Sequence, residues 1–321
     1  MKLIIQIPCF DEAEILPVAL DALPKAVEGA DRLEVLVIDD GSADATSDVA
    51  RGRGADHVLA LPSHLGLAAA FSAGIKECLR LGADIIVNTD ADNQYRASDI
   101  PALVRPILEG KADVVVGDRQ NERNRDLSFT KRALQKYGSR IVSSLSGSLV
   151  PDAASGFRAF SRGAATRLSV LTRYSYTLES LIQMGALKFR ILSVPVGTNP
   201  PLRKSRLIKS DWSYLWNQGR TLFRAYAIYR PLRTSVGLGV FLAVPGAMVL
   251  AGHFLRTGPG GGVKSAGDLI QAAALLATSI LVCLIGLIAE KARAGRGNAG
   301  VRQPPSENPA NEDAIPEDTR P

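Results

Sequence analysis

Two acidic runs in this sequence have residue types and spacing that could do chemistry. In VLVIDDGS, Asp39 and Asp40 stand side by side just past an apolar stretch, ahead of a glycine turn and a helix start. In IIVNTDADNQY, Asp90 and Asp92 are separated by one residue, with Gln94 two further on. Alternate positions of an extended segment point the same way, so Asp90 and Asp92, joined by Gln94, can share one hard cation such as Mg²⁺ or Mn²⁺. Such a cation is a Lewis acid for a leaving group that gains negative charge, as a nucleotide diphosphate does when a glycosidic bond breaks. Asp39 and Asp40 would then hold base, ribose or metal. A strand-end aspartate can also simply cap the next helix. Two paired clusters at strand ends favour the chemical reading.

Basic residues supply the complementary half. Arg119 follows a fifth apolar run, and Arg123, Arg125, Lys131 and Arg132 come soon after in a segment that reads as a loop entering a helix. A guanidinium grips a phosphate by two parallel hydrogen bonds, so this cluster suits a phosphorylated acceptor or a diphosphate. Arg123 and Arg125 read better as a solvated loop. The run DAASGFRAFSR combines Asp152, Gly156 for close backbone approach, and Arg158. An Asp152–Arg158 ion pair is its structural alternative, and a solvent-facing side chain is the alternative for Glu179 in YTLESLI. Gly66 opens a helix without a GxGxxG, so a dinucleotide fold is not supported. Asp118 takes no assigned role.

The elements that must position these groups follow from hydrophobic patterning. The runs LIIQIP, EVLVIDD, HVLAL, DIIVNTD and DVVVG alternate with helical stretches from Leu3 to Gly117, as βαβ units around a mostly parallel sheet do. They are rich in Val, Ile and Leu without strict alternation, which fits helices on both faces. Ser42 or Asp44, and Ser98 or Asp99, are candidate N-caps for two of the helices. In such sheets ligands settle at the carboxyl ends of the strands, where both acidic clusters lie.

The rest of the 321 residues is organised differently. Thr234 to Leu255 and Leu269 to Ala289 carry no formal charge, and each exceeds the roughly 18 residues expected of a transmembrane helix. Soluble helices rarely stay apolar on every side over such lengths, which disfavours a buried hairpin. Arg230 and Arg233 precede the first run, and Lys291, Arg293 and Arg296 follow the second, so both outer ends are expected on the cytoplasmic side. Before them, Arg203 to Arg233 is basic and interleaved with Trp212, Trp216, Phe223, Tyr226 and Tyr229, as suits a helix among lipid head groups; packing of those rings on the preceding domain is the alternative. The expected divisions are an α/β catalytic domain over 1–205, an interfacial region over 206–231, a two-span hairpin over 232–290 and a disordered tail over 291–321, poor in bulky apolar residues. The N-terminal apolar run is too short for a signal peptide, so the sheet domain is expected in the cytosol. Cys9, Cys78 and Cys283 form neither a disulfide framework nor a zinc spacing. A net charge of +6 favours an anionic partner. A basic stripe directly before a membrane span has lipid as its partner, so nucleic acid is not expected. Gly237, Gly239 and Gly246 would allow close helix contact and a homo-oligomer.

Taken together, IPCFDEAE, VLVIDDGSADAT, GLAAAFSAGI, NTDADNQY, VVVGDR, DAASGFRAFSR, YTLESLI and VPVGTN…RKSRL resemble the dolichyl-phosphate mannosyltransferase-like branch of the family 2 glycosyltransferases, in family order from about Ile7 to Leu207. The resemblance implies a GT-A fold, an inverting mechanism, and a DxD-type metal site at Asp90 and Asp92 with Gln94 as an added ligand. It places Pro8, Glu12, Asp39, Asp40, Asp90 and Ala91 around the donor nucleotide. It turns Arg119, Arg132, Arg203, Ser205 and Arg206 toward the acceptor phosphate or the diphosphate, and Asp152, Arg158 and Glu179 toward the sugar. The implied partners are a nucleotide diphosphate sugar and a polyprenyl phosphate, dolichyl or undecaprenyl. The nucleotide, the sugar and the lipid length stay open.

A phosphate monoester acceptor is already largely dianionic near neutral pH, with its second pKa about 6, so no general base is required. The sequence lacks a QxxRW arrangement, since Gln218 leads to Gly219 and Arg220 with no Trp after, which argues against a processive polysaccharide synthase. The rivals are a family member using a lipid-linked sugar or other hydroxyl acceptor, which would need a catalytic Asp, and a non-catalytic membrane scaffold that binds nucleotide sugar.

Overall fold

The computed structural model describes residues 1–120, 129–170, 176–200, 227, 231–257 and 266–299, with side chains outside the description at 129–134, 256–257 and 293–299. Seven strands form one sheet: β1 (Lys2–Cys9), β2 (Arg32–Asp39), β3 (His57–Ala60), β4 (Ile85–Asn88), β5 (Val114–Asp118), β6 (Arg158–Ser161) and β7 (Ile191–Pro195), in the order β3-β2-β1-β4-β6-β5-β7. The five predicted runs are β1 to β5, and all are parallel. β6 is antiparallel to both β4 and β5 and was not anticipated as a strand; its short RAFS run carries a charged residue where a buried strand would be apolar.

Alternate strand residues feed two cores. Ile4, Leu36, Ile38, Ile86, Val114, Val116 and Phe160 pack against α3 (Leu67–Arg80), α5 (Phe129–Ser146), α6 (Arg162–Arg167) and α7 (Tyr176–Ala186). Leu3, Ile5, Ile7, Val37, Val87, Val115 and Ala159 pack against α1 (Leu16–Asp21), α2 (Thr46–Gly52) and α4 (Ile100–Leu108). This two-sided cover is why the strands read as continuous apolar runs.

Two polar residues interrupt those runs and meet. Gln6 and Asn88 sit opposite each other on β1 and β4; Gln6 Nε2 donates to Asn88 Oδ1 at 2.8 Å in a fully buried site. Their pairing satisfies what burial would otherwise leave costly.

The capping candidates behave differently from expectation. The Ser42 hydroxyl accepts from the Asp11 amide instead of capping a helix, while Asp44 accepts from the Thr46 amide at 3.0 Å at the start of α2. Asp99 precedes α4, but its carboxylate accepts from the Gly197 amide at 2.7 Å.

Contacts divide the chain into two units, Met1–Tyr229 and Arg230–Pro321. The second contains α8 (Pro231–Thr257) and α9 (Ala266–Ala299). Both are long and apolar enough to cross a membrane, with mean hydropathy of 1.9 over Pro231–Leu255 and 2.6 over Ala266–Ala292. Their seam is built from small residues at seven-residue spacing, Gly239 and Gly246 on α8 facing Ala272, Ser279 and Gly286 on α9, all buried. Ser279 Oγ donates to the Gly239 carbonyl at 2.8 Å. A Cβ on Gly239 would come within 2.5 Å of Cys283 Sγ. Gly239 and Gly246, expected to serve an oligomer, thus close this intramolecular seam, whereas no described atom lies within 4 Å of a Cβ on Gly237. α9 continues to Ala299, so 291–299, expected in a disordered tail, are helical. The helix carries its register past Glu290 and Lys291, the charges that end its apolar run.

Candidate active site

The loops after β1, β2 and β4 and the turn before β6 converge at the carboxyl end of the sheet. The loop after β1 is laced to the loop after β2: the Glu12 amide donates to Thr46 Oγ1, the Ala13 amide to Asp44, and the Ala43 amide to Asp11. Pro8 lies buried in β1 opposite Ile38.

The two predicted nucleotide aspartates have prior engagements. Asp39 accepts from the Ser42 amide at 2.9 Å and from Ser47, closing the turn. Asp40 accepts from the Leu65 and Gly66 amides at 2.9 and 2.8 Å and pairs with His64 Nδ1 at 2.9 Å. Both are buried. The Asp40 carboxylate is thus the clamp that fixes the loop opening α3, and His64, so held, lies tilted against Phe10 with ring centroids 3.8 Å apart and the planes 31° from parallel.

The 90–95 loop is the second arm. Asp92 Oδ1 accepts from the Gln94 amide at 3.0 Å across Asn93, whose φ of +55° lies in the left-handed region. Ala91 is buried and Asp90 and Asp92 are half-buried. Burial, and after it the neighbouring Asp92 charge, push the Asp90 carboxyl up to about 7, against partial relief from Arg119 and Arg158. Among the described residues no three His, Cys, Asp or Glu side chains converge as a metal cage. Mg²⁺ is usually held by one or two carboxylates and otherwise by substrate phosphates and water. A carboxylate whose burial opposes its charge also suits a cation that would neutralise it.

Gly156 is where the third arm touches the second. Its amide donates to Tyr95 Oη at 2.9 Å, its carbonyl accepts from Asn88 Nδ2 at 2.8 Å, and Asn88 Nδ2 also reaches Tyr176 Oη at 3.0 Å. A Cβ there would stand 2.8 Å from Tyr176 Oη and 3.1 Å from both Asp90 carboxylate oxygens. Gly156→Ala is therefore expected to push Asp90 and the Tyr176 hydroxyl aside by a few tenths of an ångström and to lower turnover by about tenfold, with a small loss of thermal stability. Turnover within twofold of wild type would remove Asp90 from the reacting centre.

Asp90 also gives a pH signature. Its folded-state pKa of about 7 lies above the ordinary value of 3.8, so the folded, metal-free protein binds the extra proton and loses stability as pH rises from about 4 to about 7. Asp90→Asn abolishes that loss. Thermal melts in EDTA should show the variant gaining on wild type across this window and holding a constant advantage above it. A constant difference at every pH would contradict the assignment.

Arg119 brings a cation to the site. Its Nε and Nη2 donate to Asp152 Oδ2 and Oδ1 at 2.7 and 3.0 Å, and its guanidinium lies 5.8 Å from the Tyr95 ring centroid. Burial opposes its charge, but Tyr95, Asp152 and Asp90 outweigh burial and raise its pKa. The alternative Asp152–Arg158 ion pair is not present among the described residues: Asp152 pairs with Arg119, and the Arg158 donors are taken by other groups. Arg158 is fully buried and donates to Ala153 O, Ser155 O, Thr177 O and Ser180 Oγ at 2.6–2.8 Å. The solvent-facing alternative for Glu179 also fails, since it is 1% exposed on α7. Asp118 accepts from the Gln120 amide at 2.8 Å. Arg132 falls on α5 with its side chain outside the described residues, as are Arg123, Arg125, Arg203, Ser205 and Arg206.

Residues 4–168 match Glycosyl transferase family 2. The chain belongs to this family. The glycosyltransferase is 31% identical over 206 residues to an uncharacterized protein of Methanocaldococcus jannaschii, covering 61% of this chain and 81% of that one. It is 29% identical over 206 residues to the undecaprenyl-phosphate mannosyltransferase of Micrococcus luteus, covering 61% and 83%. It is 31% identical over 185 residues to a UDP-N-acetylglucosamine–dolichyl-phosphate N-acetylglucosaminyltransferase of Methanococcus voltae, covering 51% and 74%. Among solved structures it resembles glucosyl-3-phosphoglycerate synthase from Mycobacterium tuberculosis in complex with Mn²⁺, UDP and glucosyl-3-phosphoglycerate, with a TM-score of 0.54 at 21% identity over 71% of this chain and 79% of that one. At that identity the likeness carries the GT-A fold alone.

Residues that sequence reasoning missed in this glycosyltransferase are Tyr95 and Asn88, which hold Gly156 against Asp90, and Gln6 and Tyr176, which hold Asn88. The available signal was a polar residue inside each of two buried strand runs.

Proposed function

We propose that this family 2 glycosyltransferase moves a hexosyl group from a nucleotide diphosphate sugar onto a polyprenyl phosphate at the cytoplasmic face of a membrane, with inversion at C1. The observation that carries the reading is the joining, in one chain, of the Asp90–Asp92 loop beside Arg119 with two apolar C-terminal helices. Relatives named for undecaprenyl and dolichyl phosphate acceptors support it.

Asp90, Asp92 and Gln94 would hold Mg²⁺ or Mn²⁺, which supplies Lewis-acid stabilisation of the departing diphosphate. The chain's own residues do the rest. Asp40 fixes the loop opening α3 beside the nucleotide, and Asp39 fixes the turn below it. The attacking oxygen belongs to a phosphate already ionised near neutral pH, so placement in line with C1 replaces proton abstraction. Arg119 stands ready-charged; its bidentate partner Asp152 orients it, and its remaining donor capacity faces the acceptor phosphate. Arg132, Arg203, Ser205 and Arg206 are its proposed companions, and Glu179 and Asp152 border the sugar. In this reading α8 and α9 span the bilayer with both outer ends cytoplasmic, and the basic aromatic stretch before them, which but for Ala227 falls outside the described residues, is assigned to the lipid head groups from its sequence alone.

Kinetics of Arg119→Ala test the acceptor assignment. The KM for polyprenyl phosphate should rise about tenfold or more, the scale of one lost charge-assisted contact, with the donor KM little changed. The reverse pattern would reassign Arg119 to the diphosphate. Equal turnover with polyprenyl phosphate and with free polyprenol would overturn the phosphate acceptor altogether.

A further inference from the structure

The acidic loop does not hold its shape alone. β7 ends beside β5, where the Val196 amide donates to the Asp118 carbonyl at 2.9 Å, and the chain then runs on to the loop after β4, two strands away. There Thr198 bridges Tyr95, the Asn199 amide donates to the Gln94 carbonyl at 2.8 Å, and the Arg96 amide donates to the Gly197 carbonyl at 3.3 Å. The Asn199 side chain reaches furthest: Nδ2 donates to the Asn93 carbonyl at 2.9 Å and lies 3.4 Å from both Asn93 Oδ1 and the Tyr95 carbonyl.

Asn93 is the residue on which the loop turns. Its positive φ lets the Gln94 amide reach back to Asp92, so the two outer ligand candidates keep a fixed relation only while Asn93 stays left-handed. Asparagine tolerates that conformation but does not enforce it. An anchor on its carbonyl does. The sequence around Asn199 shows none of this, because the partner is over a hundred residues away.

We infer that Asn199 is a positioning residue for the Asp92–Gln94 turn, acting as a hydrogen-bond donor that keeps the metal-binding geometry in place before metal and diphosphate arrive. The inference rests on the metal site proposed above. Supporting groups of this kind typically change metal affinity by roughly 10–100-fold when lost.

The test is Mn²⁺ titration of the full chain in detergent by electron paramagnetic resonance, at saturating UDP and separately GDP, with melting temperatures taken in EDTA. Asn199→Ala should weaken Mn²⁺ binding about 10–100-fold while the metal-free melting temperature moves by only a few degrees. Asn199→Asp keeps shape and packing but replaces the donor with an acceptor facing a carbonyl, so it should be at least as weak as Asn199→Ala. Adding Asn93→Gly to Asn199→Ala should recover part of the affinity, since glycine adopts positive φ unaided. Unchanged Mn²⁺ affinity in Asn199→Ala, or full affinity in Asn199→Asp, would overturn the inference with the metal site intact. Should either variant fold poorly, no recovery with Asn93→Gly would count against it equally. Wild-type protein that takes up no Mn²⁺ with either nucleotide would remove the metal site and this role together.

Discussion

Asp92→Ala is expected to reduce sugar transfer by on the order of a thousandfold or more, because several kcal/mol of leaving-group stabilisation would go with the ligand. The same side chain also closes a turn by accepting from the Gln94 amide, so alanine alone does not separate ligand from turn. Asp92→Asn does. Its Oδ1 can keep the turn, but a neutral amide is a poor ligand for a hard cation. Both variants should fold, since one half-buried acceptor contributes about 1 kcal/mol, and both should be inactive. Near-normal turnover in Asp92→Asn would make this carboxylate a turn former, and the metal assignment would fall.

The largest effect on stability is expected at Arg158. Its guanidinium supplies donors to three carbonyls and one hydroxyl from the strand turn and the start of α7, at full burial. Burial lowers its pKa to about 10, which leaves it charged at neutral pH. Methionine would fill much of the volume and supply no donor. Each buried carbonyl deprived of its donor costs about 1–3 kcal/mol, so Arg158→Met should destabilise by about 3–5 kcal/mol after local relaxation. At this domain size that is a fall of roughly 10 °C in melting temperature. Arg158→Lys should recover little, because one ammonium cannot span acceptors contributed by Ala153, Ser155 and Thr177. A loss of activity without a loss of stability would instead return Arg158 to the sugar.

These two residues show what the sequence could and could not reveal. Asp90 and Asp92 were singled out from the two-residue period of extended chain, yet the structure ends β4 at Asn88 and carries them on a turn that Asn93 closes with a φ of +55°; only their place just past an apolar strand was legible. The five parallel strands and the two long apolar helices were legible as local patterns of burial. Gly156 could be read as a close-approach glycine from its company. What stayed hidden depends on partners distant in sequence. Arg158 looked like a ligand because nothing local reveals that β6 inserts antiparallel between β4 and β5 and turns the guanidinium inward. Asp152 finds Arg119 across the top of the sheet instead of its neighbour in the motif. Asp40 was read as a nucleotide contact, and its clamp on residues 64–66 needed the loop before α3 to fold back over it. Asn199 carries no local signal at all.

Transfer to the lipid is tested most directly with the purified full chain in detergent, polyprenyl phosphate, Mg²⁺ or Mn²⁺, and a panel of radiolabelled nucleotide sugars, following label into the organic phase. Label transferred from one donor, dependent on the phosphate of the lipid and lost on adding EDTA, is the predicted result and would identify the sugar as well. Donor hydrolysis with every label left in the aqueous phase would contradict the proposed acceptor while leaving a family 2 glycosyltransferase in place.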